Sequence, residues 1–487
     1  MKKLRLIAFF LCLILVLPLG ACGESTNVTP SSTVAITKRQ TGNLKAVAMS
    51  TEHFSFNRGE MTYLYAISYM SFLNKYYAYL SAIGLDTEKS FKEQKSTFSE
   101  GTWFEFFMQQ AKDYATNYLL FCEAAQELGL SLDESDKAFI QEEKKLLSEE
   151  AASYGWNVAT FLSQLYGTNI EWQYMESCYE KMRLAQKAYD HLIANKQFSD
   201  EELEAEYKKN PNQYAVFDYY HVDLGDGEDL SDELIAACRE GMEKALSFED
   251  FRTVVKDFLA KTRTTSDLES MGGLESYTDK YLSERLIQGE SYMDNDFCRW
   301  VFSDESREEA VFQVESETTK ATVAYCLMKK PHRDETPLVD VRHILIGLKA
   351  YGGNYEEISA ARQEAERVMQ EWLEKGGSEE SFADLVSRYS SDSGSVSNGG
   401  LYANVEMGDM VESFNNWIFD ESRKAGDYGI VETPYGAHII YFVRKSLRWK
   451  VQTDDALFSE FYNSTRDSFM EKYPIETKDE VLNAINW

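Results

Sequence analysis

Apolar positions recur along this chain at two spacings, and the change from one to the other divides it. From Phe56 to Lys196 they stand three or four apart, which predicts helices. A long aromatic run from Phe56 to Ile83 carries Tyr63, Tyr65, Tyr69, Phe72, Tyr76 and Tyr77 and stops at Gly84. A second run spans Trp103 to Leu128 with Gly129 as its stop. Asp133 to Tyr154 reads as a charged helix, and Ala159 to Lys196 as two more separated by Gly167. The Tyr/Phe/Trp stripe reads first as core, and second as an exposed groove able to hold other chains through apolar contact.

From Val339 to Lys445 the pattern becomes mixed. Val339-Asp-Val-Arg-His-Ile-Leu-Ile346 predicts a buried strand carrying His343. Tyr355 to Glu374 predicts a helix, because Ile358, Ala361, Ala365, Val368, Met369 and Trp372 share a face before Gly376-Gly377 ends it. Ser381-Phe-Ala-Asp-Leu-Val-Ser-Arg-Tyr-Ser390 predicts a short second helix entered from a serine cap. A Ser/Gly loop over 390–400 follows, then Leu401, Met410, Phe414 and Phe419. Gly429-Ile-Val-Glu-Thr433, a Pro434-Tyr-Gly turn and Ala437-His-Ile-Ile-Tyr-Phe-Val443 complete the segment, with His438 near the start of a second buried strand. Two of the chain's six histidines are thus carried inward on neighbouring strands. Each, taken alone, reads as a histidine satisfied within a sheet.

The ordered set Arg342-His-Ile-Leu, Ser381-Phe-Ala-Asp-Leu with Tyr389-Ser-Ser-Asp, Gly399-Gly-Leu, Met410-Val-Glu-Ser-Phe and Thr433-Pro-Tyr-Gly-Ala-His-Ile-Ile resembles the parvulin family of peptidyl-prolyl isomerases. The resemblance implies that His343 and His438 are the paired active-site histidines, that Asp392 occupies the acid or thiol position, and that Leu401, Met410 and Phe414 form the apolar proline cup. Many relatives have Gly-Gly-Asp-Leu-Gly where this chain has Gly399-Gly-Leu-Tyr402. Isomerisation of an X-Pro bond meets an amide barrier of roughly 18–20 kcal/mol, yet breaks no covalent bond. A dry cup and preorganised hydrogen bonding therefore suffice, which accords with a motif that contains no nucleophile. The two histidines are expected to orient neighbouring groups, with Asp392 setting the local polarity. No cofactor and no metal are expected.

The segment Gln197 to Arg333 repeats the theme. Val216-Phe-Asp-Tyr-Tyr-His221-Val-Asp-Leu parallels the strand of His343, Ser247-Phe-Glu-Asp-Phe parallels Ser381-Phe-Ala-Asp-Leu, and Gly272-Gly-Leu parallels Gly399-Gly-Leu. Met293, Phe297, Trp300-Val-Phe-Ser-Asp-Glu-Ser-Arg and Val314-Glu-Ser match Met410, Phe414, Trp417-Ile-Phe-Asp-Glu-Ser-Arg and Val431-Glu-Thr. Laying Ala321 and Tyr325 on Ala437 and Tyr441 puts Thr322 in the place of His438, and no counterpart of Asp392 is found. This copy is expected to bind without catalysis or to serve as a spacer. Pro331 and Pro337 mark the joint between the copies.

The first residues change the picture of location. Lys2, Lys3 and Arg5 precede an apolar run from Leu6 to Leu17, and Leu19-Gly-Ala-Cys22 looks like a bacterial lipoprotein signal whose cysteine is lipidated. The alternative is a plain secretory peptide with a chance cysteine. Residues 22–44 read as a flexible tether. Two acyl chains on Cys22 imply a stable membrane anchor on the extracytoplasmic face. The cysteines at 122, 178, 238, 298 and 326 stand singly and odd in number, which argues against disulfide frameworks and metal clusters. A net charge of −31 excludes nucleic acid as a partner.

Gly101-Thr-Trp-Phe-Glu-Phe-Phe, Glu127-Leu-Gly-Leu-Ser-Leu and Tyr154-Gly-Trp-Asn resemble the helical chaperone domain of SurA- and PrsA-type extracytoplasmic foldases. In those foldases the C-terminal segment completes the helical domain. Phe458, Phe461, Tyr462 and Phe469 lie on one helical face and Val481, Leu482 and Ile485 on another, so the terminal segment must bury somewhere, in that domain or on the isomerase. The expected fold is therefore α+β and multidomain. A signal peptide over 1–21 and the tether lead to a helical chaperone domain over 45–200, completed by 447–487. Between these parts lie a diverged parvulin-like domain over 201–333 and a parvulin domain over 335–446, each with a small antiparallel sheet. The expected partners are unfolded or newly secreted polypeptides with X-Pro bonds. The competing expectations are a non-catalytic holdase and a surface adaptor.

Overall fold

A computed structural model of the chain describes residues 40–76, 79–166, 168–224, 230–282, 286–289, 296–315 and 322–487. The expected signal peptide, Cys22, most of the tether, Met293, Ala321 and Tyr77 lie outside the described residues. No helix among the described residues is long and apolar enough to cross a membrane.

The chain forms two compact units, residues 1–197 with 458–487, and residues 198–457. In the first, the helices are Arg58–Tyr76, Trp103–Glu127, Glu134–Ser153, Val158–Tyr166 and Trp172–Tyr189. The aromatic run expected to reach Ile83 is helical only to Tyr76, and residues 79–84 form turns ending at Gly84, whose φ of +73° suits glycine. Thr102 and Asp133 each start a helix through a reciprocal capping box. Most of the aromatic stripe is core: Tyr63, Tyr65, Trp103 and Phe107 are fully buried.

The C-terminal residues complete this unit. Strand β1 (Val47–Ser50) pairs with β2 (Ser55–Asn57) on one side and with the terminal strand Glu476–Thr477 on the other. Trp487 is buried against Tyr65 and Tyr69, with ring centroids 4.9 and 5.8 Å away. The boundary falls inside the helix Arg448–Lys472, at Phe458, later than the expected start at 447.

The second unit holds two four-stranded antiparallel sheets. The first comprises β3 (Ala215–Leu224), β4 (Leu286–Gly289), β5 (Val311–Glu315) and β6 (Thr322–Arg333), in the order β4-β3-β6-β5. The second comprises β7 (Pro337–Gly347), β8 (Leu401–Val405), β9 (Tyr428–Thr433) and β10 (Gly436–Leu447), in the order β8-β7-β10-β9. Sequence position and spatial order correspond strand for strand.

In the second sheet, alternation sends Ile344, Ala437 and Ile439 to one face. There they meet Ala361, Ala365, Val368 and Trp372 of the helix Tyr355–Glu374 and Phe382, Leu385 and Val386 of the helix Glu379–Tyr389. The latter helix is capped by Ser378, three residues ahead of Ser381. The opposite face carries Val339, Val341, Ile440 and Phe442 against Phe414 and Ile418 of the helix Glu412–Ile418. His343 and His438 stand on this second face. The first sheet is built likewise, with Phe217, Tyr219 and Leu327 against Phe297 and Val301.

Two of the expected parallels fail. Gly399-Gly400 runs straight into β8, whereas Gly272-Gly273 opens a helix, Leu274–Tyr281, and β4 follows later. The register also differs from the expected alignment: His343 pairs with Ile440 and His221 pairs with Tyr325. Tyr325 thus corresponds to Ile440, and the position of His438 falls to Val323, one residue beyond Thr322. A slip of one residue exchanges the faces of a strand, so laying tyrosine on tyrosine chose the wrong face.

Candidate active site

His343 and His438 come from adjacent central strands and face each other across β7 and β10. Their Nδ1 atoms are 3.1 Å apart and their rings stack at 18°. His343 is 1% exposed and His438 7%. Asp392, from the loop after the helix Glu379–Tyr389, places Oδ2 2.8 Å from His343 Nε2. Thr433 Oγ1 lies 2.8 Å from His438 Nε2, and itself accepts the Tyr435 backbone N–H at 3.1 Å.

These contacts admit one arrangement of protons. The carboxylate can only accept, so His343 Nε2 carries a hydrogen and its Nδ1 is bare. His438 must then donate from Nδ1, which leaves its Nε2 to accept from the Thr433 hydroxyl. Electrostatics agree. Burial holds His343 below its ordinary value, with Asp392 opposing. Burial and the neighbouring His343 push His438 down to about 3. Burial works against the Asp392 anion, but hydrogen bonds from Ser395, Tyr402 and His343 outweigh it and hold the carboxyl below its usual range. At neutral pH the site is an ionised aspartate beside two neutral imidazoles.

The loop that carries Asp392 is tied to β7. Ser391 N–H donates to Leu345 O at 2.8 Å, Leu345 N–H to Ser390 Oγ at 3.2 Å, and His343 N–H to Gly400 O at 2.8 Å. Arg342, fully buried, donates to Glu379, Asn398 O and Gly399 O and so closes the far end of the loop. Gly400 has φ +74°, and a Cβ there would collide with the His343 carbonyl, so the close approach requires glycine.

Phe414 and Met410 pack on the histidine face, as expected of a cup. Phe414 is 2% exposed and its ring meets His438 edge-on at 5.2 Å and His343 at 5.8 Å. Leu401 is not brought there. It pairs with Arg342, while the next residue, Tyr402, pairs with Val341 and turns its ring onto His343 at 4.4 Å. Alternation allows only one of the two neighbours onto this face, and it is Tyr402. Its hydroxyl donates to Asp392 Oδ2 at 2.9 Å. Ser395, Tyr402 and Thr433 are therefore members of the site that sequence reasoning did not assign. For Ser395 the signal was its spacing of three from Asp392, a local side-chain contact; for Thr433 and Tyr402 only the pairing reveals it. No group of residues suited to holding a metal ion occurs among the described residues.

Residues 325–446 match the family described as the PPIC-type PPIase domain. Foldase protein PrsA 1 of Listeria innocua is 26% identical over 196 residues, which are 40% of this chain and 58% of that protein; its namesake in Listeria monocytogenes matches to the same extent. The chain thus spans just over half the length of these relatives. Among solved structures, PrsA from Bacillus subtilis is 16% identical with a TM-score of 0.28, covering 81% of this chain and 98% of that one. The PPIase domain of TbPar42 is 25% identical with a TM-score of 0.19, covering 22% of this chain and 99% of its own.

Proposed function

We propose that this chain, whose residues 325–446 are a parvulin-type peptidyl-prolyl isomerase domain, is a foldase that binds unfolded secreted polypeptides and isomerises their X-Pro bonds. The observation that carries the reading is that the polar atoms of the histidine pair are already committed. His343 Nε2 is held by Asp392, both Nδ1 atoms face each other, and His438 Nε2 is held by Thr433. Each imidazole nitrogen already has a partner and burial disfavours protonation of either ring, so the site supports a reaction in which no bond breaks. A rigid polar floor beside an apolar wall of Phe414 and Met410 suits a proline ring whose preceding amide twists. His343 and His438 form that floor, and Asp392 holds them in one tautomer.

The helical unit is the part we assign to holding unfolded clients, and Cys22 the part we assign to a lipid anchor on the extracytoplasmic face. The experiment is an isomerisation assay of the full-length mature chain on X-Pro peptides, with Phe414→Ala beside it. A folded wild-type protein no faster than buffer would remove the enzymatic reading and leave a holdase or adaptor. For the anchor, Cys22→Ala should release the protein from membranes; a variant that still carried lipid would disprove the assignment.

A further inference from the structure

We infer that Tyr402 is a positioning residue of the isomerase site, which locks the tautomers of the histidine pair through Asp392 and closes one side of the proline cup with its ring. The inference rests on the function proposed above and adds to it a hydroxyl that the family pattern Gly-Gly-Asp-Leu-Gly, with leucine at the position of Tyr402, does not supply. Its surroundings give this tyrosine a part in the site.

Three contacts define that part. Tyr402 packs with Val341, Phe414 and Ile440 on the histidine face of the sheet. Its ring lies 4.4 Å from that of His343, tilted by 35°, so it covers the imidazole from the β8 side while Phe414 meets it edge-on. Its hydroxyl donates to Asp392 Oδ2 at 2.9 Å, the same oxygen that accepts from His343 Nε2 at 2.8 Å and from Ser395. Among the described residues the other carboxylate oxygen receives only the Gly394 N–H, at 3.2 Å. Three donors on one oxygen favour the anion, and the anion dictates the His343 tautomer, which in turn dictates that of His438. The titratable groups facing Asp392 are His343 from β7, His438 from β10 and Tyr402 from β8. Burial and Asp392 both keep Tyr402 protonated, so it is the steady donor of the set.

The hydroxyl and the ring have separable effects. Removing the hydroxyl should loosen the lock without opening the cup. Removing the ring should also uncover His343 and enlarge the space beside Phe414.

The test uses the full-length protein, with Tyr402→Phe and Tyr402→Ala, and reads X-Pro isomerisation against pH together with imidazole 15N shifts of His343 and His438. For Tyr402→Phe we expect kcat/KM to fall about tenfold through kcat, the size of one lost hydrogen bond to a charged group. We also expect the acid limb of the pH profile to move up by about one unit, as Asp392 becomes easier to protonate. The 15N shifts should change from a single tautomer to an average of two. Tyr402→Ala should lose more and raise KM as well. An unchanged pH profile and unchanged 15N shifts in Tyr402→Phe overturn the inference. Should the wild type prove inactive, the proposed function falls while the 15N comparison still decides the lock: a single tautomer in wild type that averages in Tyr402→Phe supports it, and identical spectra refute it.

Discussion

On β7 the imidazole of His343 is buried between Tyr402, Phe414 and a second histidine; at the same register position on β3, His221 is exposed to solvent. The two sheets share strand order and the same apolar support, with Phe297 standing where Phe414 stands. The polar parts differ. Val323 takes the place of His438, and Tyr325 takes that of Ile440 and stacks on Phe297 at 4.1 Å and 13°. The stretch that would carry an Asp392 is not a loop tied to the central strand but two helices, Thr265–Ser270 and Leu274–Tyr281. The comparison teaches that the scaffold and the site are separable. Both sheets pack their helices through apolar faces that include neither histidine nor loop, so the copy without the second histidine and the loop keeps the same arrangement, with an aromatic ring stacked where the cup would be.

The comparison breaks most readily at the shared phenylalanines. Phe414→Ala and Phe297→Ala each remove a buried ring, and each should lower the stability of its sheet by about 3–5 kcal/mol in denaturant titrations. Only Phe414→Ala should also slow isomerisation; an equal loss of rate with Phe297→Ala would mean that the first copy takes part in turnover. Next in size, His438→Val makes the second copy resemble the first. It leaves His343 Nδ1 without its partner, a cost of about 1–3 kcal/mol for a buried polar group, while the Thr433 hydroxyl can turn to Gly436 O, and isomerisation should fall roughly ten- to a hundredfold.

Acid distinguishes the copies without mutation. His343 and His438 are held below their unfolded value of 6.5, so their neutral forms stabilise the second copy fully above that pH. That stability is lost as pH falls from about 6.5 towards about 3, and the depressed carboxyl of Asp392 adds its own loss below about 3.8. Backbone amide exchange should therefore show β7 and β10 opening between pH 7 and 4 more than β3 and β6; equal change in both sheets would count against the buried pair as the cause. The smallest effect is expected for Val323→His. With Tyr325 stacked on Phe297 where the cup would be, a restored histidine beside Asp223 should yield no isomerisation, and any gain would show that the first copy lacks only that residue.

The sequence by itself determined much of this protein. Periodicity and caps located the helices, ordered motifs located the strands of His343 and His438 with Asp392 between them, and the aromatic face of the terminal helix announced that it must be buried. These features are local: spacing of three or four, alternation of two, and capping side chains act within a few residues. Only the tertiary structure decided which neighbour of Leu401 and Tyr402 faces the histidines, which residue of β6 stands opposite His221, and that Thr433 and Ser395 complete the hydrogen-bond chain. The first two and the placing of Thr433 depend on strand register, where a shift of one residue reverses every side chain, while Ser395 reaches Asp392 within one loop. Pairing between β7, β8 and β10 is set by long-range contacts, such as the buried Arg342 binding the Asn398 and Gly399 carbonyls and the approach that Gly400 permits, and these leave little trace in local spacing.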